Sequence, residues 1–402
     1  MDNLKEIIYD GAKEIQDEIV KHRRNFHQNP EVHLDLPLTT KYVKERLVEM
    51  GYDPKDCGHG IVALAGGKKP GKVFMIRGDM DALPIVEETD EEFKSTNENM
   101  HACGHDMHTA MMLGAAKLLK NNEDKINGTV KFMFQPAEET LAGAKAMIED
   151  GLLENPKVDA AMMIHVMTGF PLEAGKIIVP NPGIGSASSD WFEINIKGKG
   201  GHGAMPDSTI DPVNVAAHLH IALQAINSRE LAPADSAVLT VGLMQAGTTS
   251  NVIPDTAKLA GTIRTFNPET RGFIKERLVE ISKNVAKTFR AEASVDIPVG
   301  CPSLIIDGDL VNSANKHLSN LLGQDNIIPI EMLMAGGKMS GSEDFGYVSE
   351  LVPSIMLSLS AGNSNDGHAF PMHHPKATFD ETYLYRGSAT YAYMAMKWLE
   401  EN

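Results

Sequence analysis

Apolar positions along the chain follow a helical period in some stretches and an alternating or unbroken pattern in others, and the order of these stretches sketches an architecture. Residues 4 to 27 place Ile7, Ile8, Ile15, Ile19 and Val20 on one side of a helix that ends before Asn29-Pro30, and a second helical pattern covers 39 to 50. Short apolar runs predict strands at 61 to 65 and 73 to 76. Strand and helix then alternate: helix 109 to 120, strand 129 to 135, helix 141 to 150, strand 160 to 165. This alternation predicts an α/β fold, a mostly parallel sheet covered by helices. In such sheets a site forms beyond the carboxyl ends of the strands, where Asp79, Asp81, Glu138, Glu139 and His165 all stand.

After residue 186 the pattern changes. Residues 191 to 197 alternate apolar and polar, Asp211-Pro212 makes a cap and first residue for a helix over 213 to 228, and strands follow at 237 to 244 and 257 to 264. A helix over 269 to 289 and a strand over 291 to 297 complete the order β-α-β-β-α-β, that of a ferredoxin-like α+β module. From 302 the α/β pattern resumes, with a strand at 355 to 359 and a closing helix over 382 to 399. The organisation expected is one domain made of 1 to 186 and 302 to 402, with a second inserted at 187 to 301.

Composition narrows the partners. A length of 402 residues suits two domains, and 37 basic against 54 acidic residues give a net charge of −17, which repels phosphate backbones and anionic lipid. Nucleic acid and membrane are therefore not expected as partners. An anionic substrate has to be drawn in by local cations against the overall field. The amino-terminal residues Met1 to Glu6 lack the pattern of a signal peptide, and Cys57, Cys103 and Cys301 are too scattered for a disulfide framework, so a cytoplasmic setting is expected.

The chemistry concentrates in His101-Ala102-Cys103-Gly104-His105-Asp106-Met107-His108, where four groups able to bind a transition metal lie within eight residues, ahead of an apolar helical run. Chance accumulation near a helix start is the plain alternative. Further candidate ligands recur at strand ends, which favours metal. Cys103 and His105 can face one centre from a loop. In Glu138-Glu139, placed by Pro136, one carboxylate can bind metal while the other takes a proton from water. His165 closes an apolar strand and can equally be read as a hydrogen-bonded core residue, whereas His373-His374-Pro375 lies in a loop without a packing reason for histidine. Two Gly-rich stretches mislead by their letters. The loop 66 to 72 leads into a strand and has Val73 where a P-loop needs Ser or Thr, and Gly198 to Gly203 fits a dinucleotide fingerprint but meets Pro206 instead of opening a helix.

The motifs Arg77-Gly78-Asp79-Met80-Asp81-Ala82-Leu83-Pro84, His101-Ala102-Cys103-Gly104-His105-Asp106, Gln135-Pro136-Ala137-Glu138-Glu139, Gly200-Gly201-His202-Gly203 and His373-His374-Pro375, in this order, resemble the metallopeptidase family of aminoacylases and carboxypeptidase G. More narrowly they resemble its amidohydrolase branch, with the hippurate hydrolases, N-acyl amino acid amidohydrolases and indole-acetyl-amino-acid hydrolases. The resemblance implies two divalent metal ions bridged by Cys103, one completed by His105 and His165, the other by Glu139 and His373. His373 is chosen over His374 because the family pattern is His-x-Pro. Zinc suits a thiolate bridge, with manganese, cobalt and nickel also compatible.

By the same resemblance Glu138 is the general base and Asp81 orients a metal-binding histidine. The inserted module forms a homodimer contact and sends His202 into the partner's site to stabilise the oxyanion, and Asn251 and Arg264 hold the substrate's carboxylate. Read without the family, Asn251 beside Pro254 is a turn residue, and Arg264 at a strand end can equally be a surface charge. Departures lie away from the ligands: Leu36-Pro37-Leu38 precedes Thr39 where the family has an acidic residue, and Gly78 stands where Ala is frequent. The expected activity is cleavage of the amide of an N-acyl amino acid. A dipeptidase or aminopeptidase on the same metals, and a metal-binding protein without catalysis, are the rival readings. Pocket walls are expected from the loops 339 to 348 and 361 to 372.

Overall fold

The computed structural model describes residues 3–334, 336–339 and 341–402. Met1 and Asp2 of the amino-terminal reading, and Ser340 in one expected pocket wall, lie outside the described residues. The chain packs as two compact units. One comprises the chain up to Gly185 with Ile305–Lys338 and Tyr347–Asn402, and the other Ser186–Leu304 with Met339–Gly346.

In the first unit one sheet runs, in spatial order among the described residues, Lys55–Cys57, Gly60–Gly66, Thr129–Gln135, Val73–Asp79, Ala160–Met167, Ser354–Ser360, Ile177–Val179 and Ile327–Pro329. The four middle strands are parallel, and antiparallel neighbours flank them on both sides. Val73–Asp79 and Ser354–Ser360 are buried along their whole length. Coverage of both faces explains why residues 73–76 and 355–357 read as continuous apolar runs rather than alternating ones.

The helix expected over 4 to 27 is two helices, Asn3–Glu14 and Gln16–Gln28, broken at Ile15. The first packs along Leu384–Glu401 and the second along His105–Asn121, so the apolar stripe is turned toward two supports. His105–Asn121 also begins four residues before the sequence pattern suggests, because Gly104 takes a left-handed φ of 83° and starts the helix without a side-chain cap. The histidine cluster thereby becomes the first turn of a buried helix. Pro30-Glu31 is structural: the Glu31 carboxylate accepts from the Leu38 and Thr39 amides and caps Pro37–Glu49.

The second unit contains Ser188–Lys197, Pro212–Ala225, Ala237–Ala246, Thr256–Thr265, Pro268–Thr288 and Glu292–Cys301, the expected β-α-β-β-α-β order. Its antiparallel sheet runs 237–246, 256–265, 188–197, 292–301, the ferredoxin-like arrangement. Asp211 caps the first helix by accepting from the Val213 and Asn214 amides, and Asn267 does the same before Pro268. The apolar face of the sheet and the two helices enclose a separate core that includes Phe192, Ile194, Leu219, Leu259 and Leu278. Among the described residues no helix is long and apolar enough to cross a membrane.

At Gly78 the helix His105–Asn121 lies close against the strand Val73–Asp79. A Cβ there would lie 2.7 Å from Met112 Cγ and 3.2 Å from the His108 carbonyl oxygen. Gly78→Ala is expected to destabilise the protein by about 1–3 kcal/mol through overpacking, and by less in a Met112→Ala background. Denaturant unfolding of the four proteins of that cycle measures the coupling. An equal cost in both backgrounds would show that Met112 is not what keeps the position small.

Candidate metal centre

The site is built on the carboxyl ends of three parallel strands. Beyond Val73–Asp79 the Met80 amide still donates to the Gln135 carbonyl at 2.7 Å, so the strands 73–79 and 129–135 deliver Asp81 and the Glu138-Glu139 turn side by side. Ala137 has φ 53°, which turns the backbone after Pro136 back on itself. Both amides that follow then reach one carboxylate: Glu138 N donates to Asp81 Oδ1 at 3.0 Å and Glu139 N to Asp81 Oδ2 at 3.1 Å. The Asp81 carbonyl oxygen is 2.9 Å from His105 Nδ1. A carbonyl only accepts, so Nδ1 donates, and Nε2 is the nitrogen that bears the lone pair once the ring is neutral.

His165 follows the same logic from the next strand. Its Nδ1 donates to the Val166 carbonyl oxygen at 2.6 Å, and its Nε2 is 3.6 Å from Cys103 Sγ. The loop carrying His373 is tied to the Cys103 loop by the His373 amide donating to the Ala102 carbonyl at 2.9 Å. His373 Nε2 lies 3.2 Å from Cys103 Sγ and 3.5 Å from Glu139 Oε1. His374 is turned away, stacked on Phe370 with ring centroids 4.4 Å apart, its Nδ1 accepting from the Lys376 amide. Glu138 and Glu139 each bring a carboxylate oxygen to 3.9 Å from His105 Nε2.

Three overlapping groups of ligand atoms result, Cys103/His105/His165, Cys103/Glu139/His373 and His105/Glu138/Glu139, the members of each within 4.8 Å of one another. A soft sulfur, imidazole nitrogens and carboxylate oxygens form a donor set for transition-metal cations. The buried His105 Nε2 and Glu139 Oε1 make no hydrogen bond, a state that suits atoms reserved for a cation. The residues present therefore fit divalent metal.

Protonation points the same way. Burial raises the Glu139 carboxyl, His105 opposes this and Asp81 and Asp79 add to it, leaving a pKa of about 7. Burial, reinforced by Glu139, pushes the Cys103 thiol well above its usual range. Burial acts to lower His105, but Asp79, Asp81 and Cys103 outweigh it and hold the ring well above the ordinary histidine value. Protons thus compete with a cation for these atoms, and cation affinity falls with acid.

The remaining candidates lie in the second unit. His202 and Asn251 are neighbours on a short ribbon, where Val252 pairs with His202, the Gly203 amide donates to the Asn251 carbonyl at 2.9 Å and both side chains are exposed. Arg264 is half-buried on Thr256–Thr265 and donates to the Ser189 hydroxyl. Among the described residues no carboxylate pairs with it.

Comparison with known proteins matches residues 75–397 to the description "Peptidase family M20/M25/M40". The chain is 34% identical to Thermostable carboxypeptidase 2 of Saccharolobus solfataricus, covering 98% of this chain and 99% of that protein. It is 37% identical to Hippurate hydrolase of Campylobacter jejuni, covering 96% and 98%. A solved Bacillus subtilis structure, described as a dinuclear metal binding peptidase from the M20 family, superposes with a TM-score of 0.79 at 33% identity, covering 97% of this chain and 99% of that one.

Sequence reasoning missed a buried charge network beside the site. Asp106 Oδ2 accepts from His27 Nδ1 at 2.8 Å and Arg23 Nε at 3.1 Å, His27 Nε2 reaches Glu87 at 3.3 Å, and Arg23 Nη1 reaches Glu381 at 2.7 Å. The network ties the second amino-terminal helix to the residue after His105. The one available signal was that Arg23 and His27 continue the i, i+4 series of Ile15 and Ile19, which puts a guanidinium and an imidazole on the apolar stripe. Burial lowers His27, yet Asp106 and Glu87 outweigh it and raise the pKa from 6.5 to about 9. A raised folded value means a stabilising contribution fully present below about 6.5 and lost as pH rises through about 9. Chelator-treated protein is expected to lose thermal stability between pH 7 and 10, and His27→Gln, unable to take up that proton, to lose less over the same interval. Parallel melting-temperature profiles for the two proteins would contradict this assignment.

Proposed function

The chain belongs to peptidase family M20/M25/M40, and from that premise we propose that it is a metal-dependent amidohydrolase cleaving N-acyl amino acids to a carboxylic acid and a free amino acid. The observation that carries the reading is the convergence of Cys103, His105, Glu139, His165 and His373 around a shared space, with Glu138 beside it. Cys103 would bridge two divalent cations, zinc first and manganese, cobalt or nickel by the same donors, with His105 and His165 on one and Glu139 and His373 on the other. Such cations supply Lewis acidity, making water acidic at neutral pH and polarising the scissile carbonyl.

Glu138 takes a proton from the attacking water as the C–O bond forms and the carbonyl π pair moves onto oxygen, then delivers it to the nitrogen as the oxyanion collapses and the C–N bond breaks. Asp81 keeps the Glu138-Glu139 turn and His105 in place. His202, contributed by a second copy of this chain, steadies the oxyanion; its exposed position on the ribbon supports this role. Asn251 and Arg264 hold the substrate's carboxylate, which suits a guanidinium lacking a carboxylate partner among the described residues.

A peptidase reading is favoured by the carboxypeptidase among the relatives, and both reactions need a carboxylate next to the scissile amide. Release of free amino acid from acetyl, benzoyl and indole-acetyl amino acids, set against unblocked dipeptides, separates them. Turnover of the acylated compounds with dipeptides inert is expected, and the reverse preference would replace the amidohydrolase reading. Glu138→Gln is expected to keep its metal content while turnover falls by about 10² to 10⁴. Unchanged turnover in that variant would remove the assigned base.

A further inference from the structure

Two members of the buried cluster, Asp79 and His108, have metal-ligand chemistry but no place in the reaction above. Both are fully buried, and with His105 they form a group whose ligand atoms lie within 4.8 Å of one another. Their hydrogen bonds show why they are not ligands. His108 Nε2 is 2.8 Å from the Val166 amide nitrogen. That amide only donates, so Nε2 is the acceptor and the proton sits on Nδ1, which is 2.5 Å from Asp79 Oδ1. Both ring nitrogens are committed, and no lone pair is left for a cation.

The contact on Val166 answers a need of the sheet. The strand Ala160–Met167 is paired to Val73–Asp79 from Phe74↔Ala160 to Arg77↔Met163 and then runs past that partner. On its other edge Ser354–Ser360 accompanies it to Met167. On the overhanging edge side chains replace the missing strand: Ile164 N donates to the Tyr391 hydroxyl at 2.8 Å, and Val166 N to His108. His165 lies between these two anchored amides. The Tyr391 hydroxyl donates in turn to the Arg77 carbonyl at 2.6 Å. Asp79 is itself fixed: Arg77 Nη1 donates to its other oxygen at 2.7 Å, Arg77 Nε to Gln135 at 2.9 Å, and the Thr109 hydroxyl to the Asp79 carbonyl at 2.7 Å.

We infer that Asp79 and His108 are positioning residues for the cation held by His165. The Asp79 carboxylate sets the His108 tautomer, and His108 holds the overhanging strand end from which His165 reaches Cys103. This rests on the metal-centre reading above, and it makes the relay responsible for one of the two cations rather than for both. Partners that orient a ligand without touching the metal typically contribute about 10- to 100-fold in metal affinity.

The test is calorimetric titration of cobalt(II) into chelator-stripped protein, with melting temperatures recorded alongside. An asparagine amide reaches only the position of Nδ1, whereas a glutamine oxygen reaches that of Nε2. His108→Asn is therefore expected to weaken one of two binding steps by about 10- to 100-fold, the same step that His165→Ala removes, and His108→Gln to retain both. Asp79→Asn, which keeps the shape of the side chain, is expected to behave like His108→Asn: its oxygen stays on Arg77, its amide donates to Nδ1, and the displaced proton on Nε2 then opposes the Val166 amide. Two unchanged steps in both His108→Asn and Asp79→Asn would overturn the inference. So would equal weakening of both steps in His108→Asn and His108→Gln alike, which is the mark of general loosening. Uptake of fewer than two cations by the unaltered protein would instead fell the metal-centre reading, and the relay's role with it.

Discussion

The Asp81 carboxylate accepting two consecutive backbone amides, those of Glu138 and Glu139, is the contact on which the site depends. Those amides are turned inward by the left-handed Ala137 and would be costly to bury without partners, on the order of 1–3 kcal/mol each. Asp81 satisfies both and presents its own carbonyl to His105. One residue thus closes the hydrogen bonding of a buried turn, sets the direction of two neighbouring carboxylates and fixes the tautomer of an imidazole. The need to satisfy the turn and the need to aim the ligand-bearing groups are met by the same bonds.

Four acidic residues, Asp79, Asp81, Glu138 and Glu139, crowd the strand ends, and Arg77, the raised His105 and the raised Glu139 carboxyl offset part of that charge. Together with a net charge of −17, this field favours the approach of cations and opposes that of an anionic substrate. Under the proposed reaction an anionic substrate therefore needs a cationic partner of its own.

Much of this was legible in the sequence because strand ends are. Apolar runs give way to polar residues after Ile76, Phe134 and Ile164, so Asp79, Glu138, Glu139 and His165 are placed toward one edge of a parallel sheet. The β-α-β-β-α-β order of the second unit was legible for a related reason, since Asp211-Pro212 and Asn267-Pro268 mark helix starts chemically. What escaped depends on contacts distant along the chain. The break at Ile15 follows from two different supports for one apolar stripe. The helix start at His105 is set by the backbone of Gly104, and the three-residue strands Lys55–Cys57, Ile177–Val179 and Ile327–Pro329 are too short to carry a period. The Arg23–Asp106–His27 network joins residues about 80 positions apart, and no local pattern announces it.

The histidines give the sharpest instance. His105, His108, His165, His373 and His374 are chemically identical, and by spacing alone each is as good a ligand as the next. What separates them is the use made of the second nitrogen. In His105 and His165 Nδ1 donates to a backbone carbonyl, so the lone pair of the neutral ring sits on Nε2. In His108 a carboxylate takes the Nδ1 proton and a backbone amide occupies Nε2, so nothing remains. In His374 Nδ1 already accepts from Lys376, which forces the proton of the neutral ring onto Nε2, whereas Nε2 of His373 faces Cys103 and Glu139. Which ring nitrogen of His105, His108, His165 and His374 can accept a cation is therefore set by the hydrogen bonds of the other atoms around the ring, a property of the folded chain that residue type and spacing leave open.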